Sequence, residues 1–130
     1  MAGISVRMTS QKESTLQQIR EKIHAIEDVE PVKVLQTQVS DATIMLLVYE
    51  KYFLRTGNYA SLTVLLTEQD SGQTADIVIS GAGGDGTNFS WGAEEKFAKL
   101  CVKALESLGF VMDQANSDEL PKGLLERFFK

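Results

Sequence analysis

The residues with the most chemical capacity gather in one short stretch that holds Gly81, Gly83, Gly84, Asp85, Gly86, Asn88, Ser90 and Trp91. Gly81-Ala82-Gly83-Gly84-Asp85-Gly86 fits the pattern G-x-G-x-x-G, follows a β-type run and precedes a helical pattern. In a dinucleotide site such glycines bring backbone N–H groups up to a pyrophosphate at a helix N-terminus. Two features weigh against that use here. Thr87, Asn88, Phe89 and Ser90 separate the third glycine from the helix it should already be packing. The preceding strands read as an antiparallel meander, and a single motif match needs parallel βαβ context to carry weight. A phosphate-binding loop of the Gly-Lys-Ser/Thr type is excluded, because no such tripeptide follows. We therefore assign no cofactor. The plainer reading is that the glycines let the chain leave a strand and cross to a helix in conformations closed to other residues. Between the two stands a candidate ligand or partner loop, whose N–H groups would take a small anion or a carboxylate. Asp85 would oppose an anion there.

Other reactive groups are few. Cys101 is the single cysteine, set mid-stripe among Phe97, Leu105 and Leu108, and reads as an inert buried side chain with no base beside it. His24 is the only histidine, so a zinc site lacks further ligands and no metal is assigned. Ser90, Asp85 and His24 can be combined into a triad on paper, but no G-x-S-x-G elbow supports it. No catalytic residues are assigned, and the balance leans away from an enzyme.

The elements that must position these residues follow from periodicity. Ile4, Val6 and Met8 alternate with polar neighbours as in a half-buried strand. Ser10 and Glu13 have capping-box spacing, which predicts a helix from there to about Glu27 with Leu16, Ile19, Ile23 and Ile26 on one stripe. Strands are expected at 32–39, 43–54, 60–67 and 74–80. A four-residue loop at 70–73 would set Leu66 opposite Ile77 and Val64 opposite Ile79, with both apolar rows on one face. A second helix is expected over Trp91–Leu108, stopped by Gly109. Its apolar face carries Phe97, Leu100, Cys101, Ala104, Leu105 and Leu108, and Trp91 falls on its flank beside Ala98 and Val102. A polar linker, Asp113–Glu119, leads to a short tail helix with Leu124, Leu125, Phe128 and Phe129. This gives an α+β fold, an antiparallel sheet of four to five strands on two helices, in the order β-α-β-β-β-β-α plus a short C-terminal helix. Residues 1–112 form one domain, and 113–130 form a linker and tail that pack on it or on a partner subunit.

The most informative oddity is Ile44–Tyr49. Both parities are apolar, with Ile44, Leu46 and Val48 on one face and Met45, Leu47 and Tyr49 on the other. An antiparallel sheet with one wet face should alternate there. The tail, a second copy of the chain or a ligand must therefore cover the second face.

Composition bounds the function. The 130 residues carry 43% hydrophobic and 24% charged side chains with a net charge of −5, which suits one soluble globular domain. Scattered basic residues and an acidic balance argue against nucleic acid and against an anionic membrane surface. The longest apolar run is far short of the ~20 residues of a membrane helix. With no signal-peptide pattern at the N-terminus, a cytoplasmic location is expected.

The element order resembles TATA-binding-protein-like and helix-grip arrangements, in topology alone. The run ISGAGGDGTNFSWGAEEKF followed by LESLGF resembles a family of small bacterial proteins known only as a domain of unknown function. In that family a glycine-rich loop likewise enters a Ser-Trp-Gly helix start. The resemblance implies a single α+β domain and no activity that can be carried over. The expected function is a non-enzymatic interaction module, homodimeric, using the Gly81–Trp91 loop and the adjoining sheet face. The alternatives are a helix-grip carrier of a small apolar ligand and a small acidic chaperone.

Overall fold

The computed structural model describes residues 3–53, 57–81 and 91–113. It is an α+β fold with the order β1 (Gly3–Ser10), α1 (Leu16–His24), β2 (Val29–Val39), β3 (Ala42–Phe53), β4 (Asn58–Gln69), β5 (Gly72–Gly81), α2 (Trp91–Glu106) and β6 (Val111–Met112). The strands form one six-stranded sheet in the order β2-β3-β4-β5-β1-β6, antiparallel throughout. The expected α+β class and meander hold. The strand number is higher, because Val111–Met112 pairs with Thr9 and Met8. A two-residue strand has too few positions to show an alternation, so it left no pattern to read.

Alternation decides which side chains meet the helices. Ile4, Val6 and Met8 of β1, Met45, Leu47 and Tyr49 of β3, Leu62, Val64 and Leu66 of β4, and Ala75, Ile77 and Ile79 of β5 are all buried. They share one core with Leu16, Ile19 and Ile23 of α1 and Phe97, Ala98, Cys101, Val102 and Leu105 of α2. Burying one such aliphatic side chain is worth about 2 kcal/mol against leaving it in water. The shared face of sheet and helices is thus the main source of stability. The buried stripe of α2 differs from the expected one. Ala98 and Val102 are buried, whereas Leu100 is 38% exposed, so the helix is rotated toward Ala98 and Val102.

Three local expectations need correction. The first helix does not start at Ser10. β1 runs on through Ser10, which pairs with Gln73, and the helix begins six residues later, at Leu16. Thr15 is its N-cap, accepting from the Gln18 N–H at 3.1 Å, while the Gln18 side chain accepts from the Thr15 N–H at 2.8 Å. Two capping strings compete in this segment, and strand pairing with β5 selects the second. The helix also ends at His24 rather than Glu27, and Pro31 lies inside β2. Finally, β4 and β5 are joined by the two-residue turn Asp70-Ser71, with Gln69 opposite Gly72. Leu66 therefore faces Ala75, Val64 faces Ile77 and Leu62 faces Ile79. The register is offset by two residues from the expectation, which leaves every side chain on its expected face.

The stop at Gly109 holds. Its φ is +95°, its N–H donates to the Glu106 carbonyl at 3.1 Å, and the Phe110 N–H reaches the Leu105 carbonyl at 3.1 Å. This is a Schellman ending, in which the left-handed glycine lets the last carbonyls find donors. It aims Phe110 into the core and starts β6 beside β1.

Candidate interaction surface

The glycine-rich stretch lies almost wholly beyond the described part of the chain. Gly81 closes β5 opposite Ala60, and Trp91 opens α2. Gly83, Gly84, Asp85, Gly86, Asn88 and Ser90 lie outside the described residues, as do the linker after Asp113 and the tail helix. No part of the expected loop can therefore be built into a site. Among the described residues no group of three or more His, Cys, Asp or Glu could hold a metal ion.

The remaining reactive groups sit apart from solvent or from each other. Cys101 is fully buried, and burial pushes its thiol up to about 12. Tyr49 is buried against α1, its ring edge-on to the exposed His24 with centroids 6.1 Å apart. Its hydroxyl has no hydrogen-bond partner among the described residues. Burial raises its pKa, the nearby Arg20 charge opposes that rise, and Cys101 adds to it. Gln73 is buried on the helix side, where its amide donates to the Ser14 carbonyl and to a Glu68 carboxylate oxygen, each at 2.7 Å. These contacts fix the approach to α1 and form no reaction centre.

What the sheet does present is its second face, which the register resolves into rows across the strands. Leu35, Leu46, Leu65, Asp76 and Arg7 stand side by side from β2 to β1. Lys33, Val48, Thr63, Val78 and Ser5 form the next row, and Thr37, Ile44, Thr67, Thr74 and Thr9 the row on the other flank. Leu35 is 49% exposed, Leu65 37% and Val78 46%, while Ile44, Leu46 and Val48 are half-buried. Tyr52 and Tyr59 face each other further along β3 and β4, with ring centroids 4.9 Å apart. The doubly apolar run Ile44–Tyr49 is thus explained. One parity makes the core and the other makes the middle of an apolar band. The band ends at the ion pair of Arg7 and Asp76, whose Nε and Oδ1 are 2.6 Å apart, with a second contact at 3.2 Å.

The two sheet edges differ sharply. Among the described residues β6 is a two-residue edge against Met8 and Thr9 of β1, whereas β2 is an eleven-residue edge paired with β3 alone. Most of β2 is exposed, Val32 at 56% and Val39 at 55%. A bulge lies between Pro31 and Lys33, and beyond Lys33 the edge is uncharged to Val39. The double hydrophobicity of β3 pointed to the open face, but nothing in the pattern of β2 said that it would be an edge.

Residues 1–109 match the family model described as "Family of unknown function (DUF6054)". Because that match spans most of the chain, the protein belongs to this family, as an uncharacterised domain. No curated protein matches the chain, and no solved structure matches it. No helix among the described residues is long and apolar enough to cross a membrane.

Proposed function

We propose that this chain is a non-enzymatic, cytoplasmic interaction module that works as a homodimer and holds an amphipathic helix of a protein partner on its open sheet face. The observation that carries this reading is the row Leu35–Leu46–Leu65. Neighbouring strands lie about 4.8 Å apart, and successive turns of a helix are about 5.4 Å apart. A helix lying across the strands would therefore set one apolar anchor beside each leucine. The threonine row and the Arg7–Asp76 pair supply the polar rim that such interfaces use for orientation. In the same reading the Gly81–Trp91 loop contributes to recognition of the partner.

The test replaces Leu46 and Leu65 together by lysine and compares capture of partner polypeptides with that of the parent chain. The reading expects a specific polypeptide that crosslinks through a photoreactive group at Val78, and whose capture the double variant loses at unchanged circular dichroism. Equal capture by both forms would overturn it. So would strong capture only after truncation following Asp113, since that would mean residues 120–129, with Leu120, Leu124, Leu125 and Phe128 at helical spacing, already occupy the face.

A second reading, a carrier of a small apolar ligand, is favoured by the buried Tyr49 hydroxyl, which has no partner among the described residues. A polar atom of a bound ligand would satisfy it. Native mass spectrometry separates the two, because excess mass that disappears on denaturation belongs only to the carrier.

A further inference from the structure

The Tyr49 hydroxyl lies on the helix side of the sheet beside two further polar groups. Arg20 and His24 stand one turn apart on α1, so both leave the helix on the same flank. The His24 ring meets the Tyr49 ring edge-on, and the Arg20 charge is near enough to act on the hydroxyl. Among the described residues no hydrogen bond or salt bridge takes up the Arg20 guanidinium, and none takes up the hydroxyl. A guanidinium can only donate. The group missing from this set is an acceptor.

The edge strand leaves a way in. Pro31 of β2 is the neighbour of Tyr49 and shares its face of the sheet, yet it is exposed. Solvent therefore comes up to the strand beside Tyr49, along the margin between α1 and β2. Val34, opposite Leu47, faces the same way and is only partly buried against the core. Pro31 and Val34 make that margin apolar. Arg20 is half-buried and His24 exposed, so both side chains can turn aside without repacking the core.

We propose that this margin binds a carboxylate with an apolar tail. The carboxylate accepts from the Tyr49 hydroxyl and the Arg20 guanidinium, with His24 at its side, and the tail lies over Pro31 and Val34. The inference rests on the carrier reading, whose ligand it names by class, and leaves the open face of the sheet to the protein partner. A charged acceptor is selected because its hydrogen bonds to a guanidinium are about twice as strong as neutral ones. Arg20 supplies one full positive charge, which a carboxylate balances and a phosphate dianion exceeds.

The test uses octanoate as the probe and octanol as its uncharged match, in calorimetric titrations and in amide spectra by nuclear magnetic resonance. Octanoate is expected to bind and to shift the amides of Arg20, His24, Val34 and Tyr49. Tyr49→Phe and Arg20→Gln should each weaken it about tenfold at unchanged circular dichroism, whereas Lys33→Gln, on the open face, should leave it unaltered. Octanol should bind about tenfold more weakly than octanoate. Octanol bound as tightly as octanoate would overturn the carboxylate assignment and leave the carrier reading standing. Octanoate binding that neither Tyr49→Phe nor Arg20→Gln weakens would do the same, since the ligand would then sit elsewhere. No binding of either probe would overturn the site, and if the native protein also lacks excess mass the carrier reading falls with it.

Discussion

Gly72 turns the side of its α-carbon that would bear a side chain onto Ser10. A Cβ there would lie 2.6 Å from the Ser10 carbonyl oxygen, and the glycine φ is +147°. Backbone meets backbone at this point, so no side-chain rotation can relieve the clash. The contact joins the β4–β5 turn to the end of β1, the strand beside β5 in the sheet.

Gly72→Ala should therefore destabilise the fold by about 2 kcal/mol, whereas Ser71→Ala, one residue away and exposed, should change it by less than about 0.5 kcal/mol. Urea unfolding monitored by circular dichroism compares the two. Equal midpoints would mean the turn shifts freely away from β1.

Tyr49→Phe removes a buried hydroxyl that has no partner among the described residues. A lost hydrogen bond would cost stability, but here only an unsatisfied polar group is lost. The variant should be as stable as the parent or more stable by up to about 1 kcal/mol. A loss of stability would show that the hydroxyl has a partner in solution, such as a bound ligand.

Cys101 should resist thiol reagents in the native protein at pH 8 and react once urea unfolds it, since only the thiolate attacks. Its pKa is raised in the fold from 9.0 to about 12. The unfolded thiol therefore ionises first. The stability tied to the neutral thiol is complete below pH 9 and drains away as pH climbs toward 12. Tyr49 is shifted in the same direction, so the Cys101 share is isolated by comparison with Cys101→Ala. That variant should show a shallower alkaline loss just above pH 9 in urea titrations.

Arg7 and Asp76 form a two-contact ion pair, but their side chains are 45% and 30% exposed. A double-mutant cycle to alanine should give a coupling of about 0.5 kcal/mol that shrinks at 1 M salt. A coupling above about 2 kcal/mol would mean the pair is covered in solution, by a partner on the open face.

Much of this architecture could be read from alternation. The pattern of Ile4–Met8, the β4 and β5 apolar rows and the stripe Leu16–Ile19–Ile23 identified the elements and their inward faces. Register was harder. Loops of two or four residues between β4 and β5 put the same side chains inward, so face alternation could not choose between them. The start of α1 was ambiguous for a similar reason, since Ser10/Glu13 and Thr15/Gln18 are both capping strings and only the pairing of Ser10 with Gln73 decides. The open face was legible because Ile44, Leu46 and Val48 broke the alternation. The edge position of β2 was not, because strand order is set by the crossover of α1, over distances that local patterning does not encode. Of the glycine-rich stretch only its two ends, Gly81 and Trp91, fall within the described residues.

The place of β1 bears on how a ribosome makes this protein. β1 is translated before the other strands of the sheet, yet its neighbours are β5 and β6, whose pairing residues begin at Gln73 and Val111. At ordinary elongation speeds the first strand waits several seconds for its nearer neighbour to be synthesised. During that interval Ile4, Val6 and Met8 have no sheet to join. Meanwhile β2, β3 and β4 can zip together through short turns as they emerge. Nascent chains would thus carry a bare apolar strand with a hairpin stack behind it, which makes β1 the natural point of contact for a holding chaperone. A circular permutant that moved β1 to follow β5 would remove that wait.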